Sequence, residues 1–119
     1  MQLGLPEVRA HTRAEILLEA ELMGHSAHGL HLLPSFLSEL ETAGMCCEGE
    51  PIVLGDRPGL SHWDGRFPPG IWLVTQAIEA AATRLAETPV MAVVIRRAHH
   101  VAALVAYPGG LRPSASWCC

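Results

Sequence analysis

One stretch limits what this chain can become more than any other. Met91-Ala92-Val93-Val94-Ile95 is an unbroken aliphatic, partly β-branched run; Arg96-Arg97 follow at once and, after Ala98, the pair His99-His100. The run predicts a buried strand over 90–95. A strand that delivers imidazoles at its carboxyl end can present a general acid/base, because histidine titrates near neutral pH. Adjacent residues at a strand end point in different directions, so at most one of the two histidines is expected to enter a given pocket.

The chain has 119 residues, enough for one small domain around one core. Its formal charge is -4, with 8 Lys+Arg against 12 Asp+Glu, which argues against a nucleic-acid partner. No apolar run approaches the roughly 18 residues of a membrane span, and the first residues lack the basic-then-apolar pattern of a secretory leader. The expectation is a cytoplasmic protein without a membrane partner. The four cysteines fall in two adjacent pairs, Cys46-Cys47 and Cys118-Cys119, without zinc-ligand spacing. Neighbouring cysteines bridge only with strain, so reduced thiols are expected.

Pro6 to Met23 predicts a helix with Val8, Ile16, Leu17, Ala20 and Leu22 as its apolar residues, stopped by Gly24. A loop rich in His and Gly follows, then a second helix that begins at Pro34 and ends near Ala43-Gly44. Ile52-Val53-Leu54 and Leu60-Ser61-His62-Trp63 predict two short strands around a Gly/Pro turn, and Asp64-Gly65 reads as a second turn. Gly70 to Glu87 is plainly helical, and Val101 to Tyr107 reads as a short buried helix. Residues 108–119 lack periodicity and form a separate, irregular tail.

Two histidine groups are candidates for chemistry. His25, His28 and His31 lie three residues apart in the glycine-flanked loop, with no carboxylate or cysteine among them. They read either as ordinary loop histidines or, for His28 above all, as a substrate or catalytic group; a metal site is not expected. Arg66, Arg96 and Arg97 could hold a substrate carboxylate through a two-pronged guanidinium contact, with solvated charge the expected role of Arg97. No G-x-G-x-x-G, P-loop or G-x-S-x-G motif is present, so the motifs alone imply no cofactor.

Four stretches, taken in order, resemble the malate/L-lactate dehydrogenase family, the NAD(P)-dependent oxidoreductases that lack the Rossmann fingerprint. Glu19-Ala20-Glu21-Leu22-Met23-Gly24-His25-Ser26-Ala27-His28-Gly29-Leu30 looks like its A-D-L-x-G-H-x-S-H-G-V. Leu33-Pro34-Ser35-Phe36 resembles the R-L-P-x-Y that follows. Trp63-Asp64-Gly65 and the helix after Gly70 are similar to its D-G-x-x-x-G-x-x-x-x-x-x-A-I-x-x-A, and Ile95 to Tyr107 to its V-R-x-S-x-H-(I/F)-x-x-x-x-x-Y. The resemblance runs from about Pro6 to Tyr107, over the 1–107 part of the chain.

The resemblance implies an α/β fold, helices around a mixed or antiparallel sheet that this chain only begins. It implies hydride transfer between NAD or NADP and a small-molecule 2-hydroxy acid, 2-oxo acid or cyclic imine, in a homodimer. His100 falls on the catalytic acid/base and His28 on a histidine lining the substrate pocket. Ala27 stands where the family has Ser, and Leu32 where it has the Arg that clamps the substrate carboxylate, so Arg66 is the expected substitute. Family members are several hundred residues long, and their nicotinamide-binding residues lie mostly beyond position 119. An inactive relic, or a non-enzymatic module that oligomerises through an exposed apolar face, is the alternative.

Ser116-Trp117-Cys118-Cys119 can be encoded by TCA-TGG-TGC-TGC, which a one-base shift turns into an aliphatic residue followed by Met-Val-Leu, like a strand of the family. A frameshifted or truncated reading frame is therefore expected. An intact frame with no homologous continuation in the downstream DNA, in any frame, rules this out.

Overall fold

Helix α1 (Glu7–Leu22) ends where Gly24 lets the chain turn back. Gly24 takes φ 81°, its N–H bonds the Glu21 carbonyl at 3.0 Å, and the His25 N–H bonds the Ala20 carbonyl at 2.9 Å. This is a Schellman ending, and glycine adopts that φ without a Cβ penalty. The structure, a computed structural model, describes residues 4–42 and 44–111, the last four by their backbone alone. The tail 112–119, with Trp117-Cys118-Cys119, lies outside the described residues.

The buried face of α1 keeps Leu17, Ala20 and the half-buried Ile16 of the expected apolar stripe but adds two arginines to it. Arg9, Arg13, Leu17 and Ala20 are buried, while Val8 and Leu22 are exposed. The arginines bury because their planar heads find partners that tolerate a cation. Arg9 lies 3.9 Å over the Trp72 ring and donates to the carbonyls of Cys47 (2.9 Å) and Gly49 (2.6 Å) and to Glu50. Arg13 covers the face of Phe36 and touches the Met45 sulfur. Burial pushes Arg13 down to about 9, against an opposing pull from Tyr107.

Two 3-10 turns, Ser26–His28 and Leu30–Leu32, lead into α2 (Leu33–Glu41), which has Pro34 in its first turn and buries Phe36. Strands β1 (Ile52–Arg57) and β2 (Leu60–Asp64) form an antiparallel hairpin, joined through Pro58-Gly59. β1 runs three residues past the predicted end because a bulge at Leu54, between Val53 and Gly55, absorbs an extra residue. Helix α3 (Gly70–Arg84) then carries the chain across to β3 (Ala92–Arg96), which pairs with β2 in parallel. The result is a mixed three-stranded sheet of order β1-β2-β3 in an α/β fold.

The core lies among the helices: Leu17, Phe36, Met45, Ile71, Ala102 and Tyr107 pack together, with Ala20, Ala103 and Ala106 beside them. The predicted short helix after the histidines is a 3-10 helix, Leu104–Leu111, preceded by the irregular Val101–Ala103. β3 is not the buried strand its composition predicts: its residues alternate between exposed and half-buried, and Val94 is 53% exposed. α3 packs on one face of the sheet, and Ile52, Leu60 and Val94 on the opposite face are exposed.

Asp64-Gly65 is not a turn either. Asp64 is still in β2, and the Gly65 N–H bonds the Arg96 carbonyl at 2.8 Å before Arg66 and Phe67 turn to positive φ. Farther on, α3 starts directly under the histidine segment. A Cβ at Gly70 would stand 2.7 Å from the His100 carbonyl oxygen and closer still to that of His99. Gly70→Ala is expected to cost about 1–3 kcal/mol through overpacking. It should lower Tm and move the amide resonances of residues 99–102; an unchanged melt and spectrum would show that the contact is slack.

Candidate active site

Because β2 and β3 are parallel, their carboxyl ends emerge at the same edge of the sheet, where ligands of α/β sheets commonly bind. One buried carboxylate organises that edge. Asp64 is 2% exposed and receives Arg96 through Nε (3.1 Å) and Nη2 (2.8 Å), Arg97 through Nε (2.8 Å) and Nη2, and the Arg66 backbone N–H at 3.1 Å. The Arg97 and Arg96 hydrogen bonds outweigh the cost of burial and hold the Asp64 carboxyl far below the usual range. Arg96 and Arg97 were expected to face a substrate carboxylate or solvent. The carboxylate they hold is the protein's own.

The same corner concentrates backbone strain. Arg66 and Phe67 (φ 62° each), Arg97 (φ 54°) and Ala102 (φ 59°) are the non-glycine residues at positive φ among those described. Each such conformation costs on the order of 1–2 kcal/mol and persists only where its surroundings over-determine it. Here the Asp64 bonds hold Arg66 and Arg97, and the Phe67 N–H is fixed on the Arg97 carbonyl at 2.8 Å.

The strained passage sets up the histidine pair. His99 donates its Nε2–H to the Gly44 carbonyl at 2.7 Å and turns its ring edge-on to Phe67, 6.0 Å between centroids. It therefore ties the end of β3 to the chain after α2. In His100, Nδ1 accepts the Ala102 N–H at 3.0 Å, so the neutral ring carries its proton on Nε2. The His28 ring, brought round by the Schellman ending of α1 and the turn after it, stacks on His100 with centroids 5.9 Å apart and planes 18° from parallel. Glu21 steadies that turn by accepting the Leu30 N–H at 3.2 Å. Both stacked rings are exposed to solvent.

His99 and His100 also line a concavity of about 160 Å³ against α2. Leu32, Phe36 and Met45 form its apolar wall, and Ser35 and Glu39 add polar groups. Both histidines of the pair border it, contrary to the expectation of one, because Ala98–Val101 is irregular rather than a strand. Arg66 is exposed at the sheet's carboxyl edge, and its guanidinium has no partner among the described residues; it does not line the concavity. No three of His, Cys, Asp and Glu converge among the described residues.

Chemically, a neutral His100 is a hydrogen-bond donor to an oxygen placed at Nε2. Forming the imidazolium puts a second proton on Nδ1, which must then release the Ala102 N–H. Proton uptake and the strained Ala102 backbone are thereby linked.

Known dehydrogenases share this framework. A dehydrogenase from Sinorhizobium meliloti is 31% identical with TM-score 0.81, the match covering 88% of this chain and 33% of that one. Malate dehydrogenase from Pyrococcus horikoshii has the same fold with TM-score 0.84, at 24% identity over 88% of this chain and 30% of that one. L-Sulfolactate dehydrogenase from Methanocaldococcus jannaschii is 25% identical over 97 residues, 82% of this chain and 28% of that protein. The relatives that share this framework are thus dehydrogenases. The chain belongs to the malate/L-lactate dehydrogenase family, whose sequence profile matches residues 1–110. It spans about a third of the length of these relatives.

Asp64 gives this site a testable acid limb. Its folded-state pKa is depressed, so its contribution is full above the ordinary carboxylate range and is lost as pH falls from about 4 toward the folded value. Asp64→Asn should lower Tm at pH 7, and the gap to wild type should close with acidification. Parallel Tm–pH curves would remove Asp64 from this role.

Proposed function

We propose that this chain supplies the substrate-binding and proton-handling part of an NAD(P)-dependent oxidoreductase acting on a 2-hydroxy acid, 2-oxo acid or cyclic imine. The observation that carries the reading is the stacking of His28 on His100 beside the concavity. His100 is the proposed acid/base at the substrate oxygen or nitrogen, with Nε2 the reactive atom: the donating form is the imidazolium, in which Nδ1 has taken a proton and released the Ala102 N–H, so that loss of the Nε2 proton leaves a neutral ring. His28 covers one face of that ring and is the proposed pocket residue.

Arg66 is the proposed partner of the substrate's acid group. The chain has no lysine, and its arginines are mostly committed. Arg9, Arg84, Arg96 and Arg97 are paired with carboxylates, and Arg13 is buried against Phe36. Of the described arginines with free guanidinium groups, Arg57 sits at the hairpin end of the sheet and Arg66 at the carboxyl end.

A nicotinamide, when bound, would accept or supply the hydride. A dinucleotide does not fit the concavity, whose volume of about 160 Å³ is below the usual ligand-pocket range of about 300–1,000 Å³. The residues lining this concavity are therefore assigned to substrate and proton, not to the dinucleotide. A cytoplasmic homodimer completes the proposal. It is supported by the open apolar sheet face and by the Cys46 thiol, which is not in a disulfide and donates to the Glu48 carbonyl.

Two measurements check this reading. Malate or lactate should shift the imidazole C2–H resonances of His28 and His100, and Arg66→Ala should weaken that binding by about tenfold, the worth of one charge-assisted bond. Silence of both imidazoles at saturating acid would refute it. By itself the chain should not oxidise NADH with pyruvate, oxaloacetate or piperideine carboxylate, and steady turnover would overturn the separation of substrate and dinucleotide sites.

A further inference from the structure

Arg13 is a buried cation that no described carboxylate answers. It is 4% exposed, its Nη atoms touch the Met45 sulfur at 3.9 and 4.0 Å, and its Nε has no acceptor. Beyond these contacts and the face of Phe36, it has no hydrogen bond or ion pair among the described residues. A guanidinium taken out of water needs carbonyl or carboxylate oxygens around it. Arg9, one turn earlier on the same face of α1, has two carbonyls and a carboxylate. Burial pushes Arg13 down to about 9, the direction expected of a cation short of compensating charge.

Arg13 also lines a groove of about 180 Å³ between α1 and α2. From α1 come Ala10 and Ala14, whose small side chains leave the groove open, and from α2 Leu33, Leu37 and Leu40 at helical spacing. Arg13 is the one ionisable group in its lining, and no histidine borders it. Phe36 is the wall shared with the histidine concavity. We propose that this groove binds a short-chain amphiphilic carboxylate, its alkyl chain between the alanines and the leucines and its carboxylate on Arg13. The chain covers the exposed Leu33 and Leu37, and the head supplies the charge-assisted acceptor that Nε lacks. A free acid suits the groove better than the side chain of a partner helix. A helix about 10 Å across would ride on the exposed Leu30, Leu33 and Leu37 and hold its carboxylates away from a guanidinium this deeply buried. The site is separate from the proposed substrate concavity and does not depend on the oxidoreductase reading.

Octanoate, octanol and octyltrimethylammonium separate charge from fit, each titrated into the 119-residue chain at pH 7 and followed by the methyl resonances of Ala14, Leu33 and Leu37 and the C2–H resonances of His99 and His100. Octanoate should bind saturably, move the groove methyls rather than the imidazoles, and exceed octanol by about tenfold, with the ammonium weakest. Hexanoate, two methylenes shorter, should bind about tenfold less tightly than octanoate. Arg13→Met keeps the length and apolar contacts but removes the charge, so octanoate should fall to the affinity of octanol while octanol is unchanged. Arg13→Lys should keep part of the preference, and Ala14→Leu, which fills the groove from an exposed helix position, should weaken both ligands. Amide spectra of the free variants that match wild type confirm their fold. Equal binding of octanoate and octanol to wild type, a preference that survives Arg13→Met, or shifts confined to the imidazoles would overturn the groove site and leave the oxidoreductase reading in place.

Discussion

A single buried carboxylate keeps the functional edge of this protein together. Asp64 ends β2, and of the arginines it holds Arg96 ends β3 and Arg97 follows it, so one side chain fastens two parallel strands together at their carboxyl ends. Removing one partner of such a cluster leaves an uncompensated charge out of water, which is why clusters of this kind behave as a unit. The segment that follows is bounded by Arg97 and Ala102, each held in a conformation that unsupported L-residues avoid. The imidazoles therefore inherit their placement from electrostatics two to four residues upstream, not from a regular element of their own.

That dependence explains which parts of the molecule were legible in the sequence. Periodicity and stop signals located α1, α2, α3, both hairpin strands and β3 to within a few residues, because Gly24, Pro34, Gly59 and Pro89 punctuate the chain by local mechanisms. The pairing of His28 with His100, separated by most of the chain, followed only from the family resemblance. Nothing in the local sequence brings a loop after α1 to the end of β3.

The misreadings share a cause: long-range pairing changes what a local pattern means. Asp64-Gly65 has the composition of a turn, and only the arrival of Arg96 and Arg97 from β3 makes it an anchor. Arg9 and Arg13 look like solvent-facing helix residues until Trp72 and Phe36 offer their rings. β3 has the composition of a strand covered on both faces, yet α3 covers the sheet on one side only.

Helix α3 joins the two ends of the sheet in a way that has a mechanical consequence. At its start Gly70 is wedged beneath the His99 and His100 carbonyls; at its end Arg84 grips Asp56 and the Arg57 carbonyl beside the hairpin tip. Fifteen residues of α-helix make a strut of about 22 Å between those grips. Tilting the hairpin tugs the strut, and the strut lifts or lowers the imidazole-bearing loop. A ligand or neighbouring molecule that leans on the far tip would thus change the height of the stacked rings without coming near them.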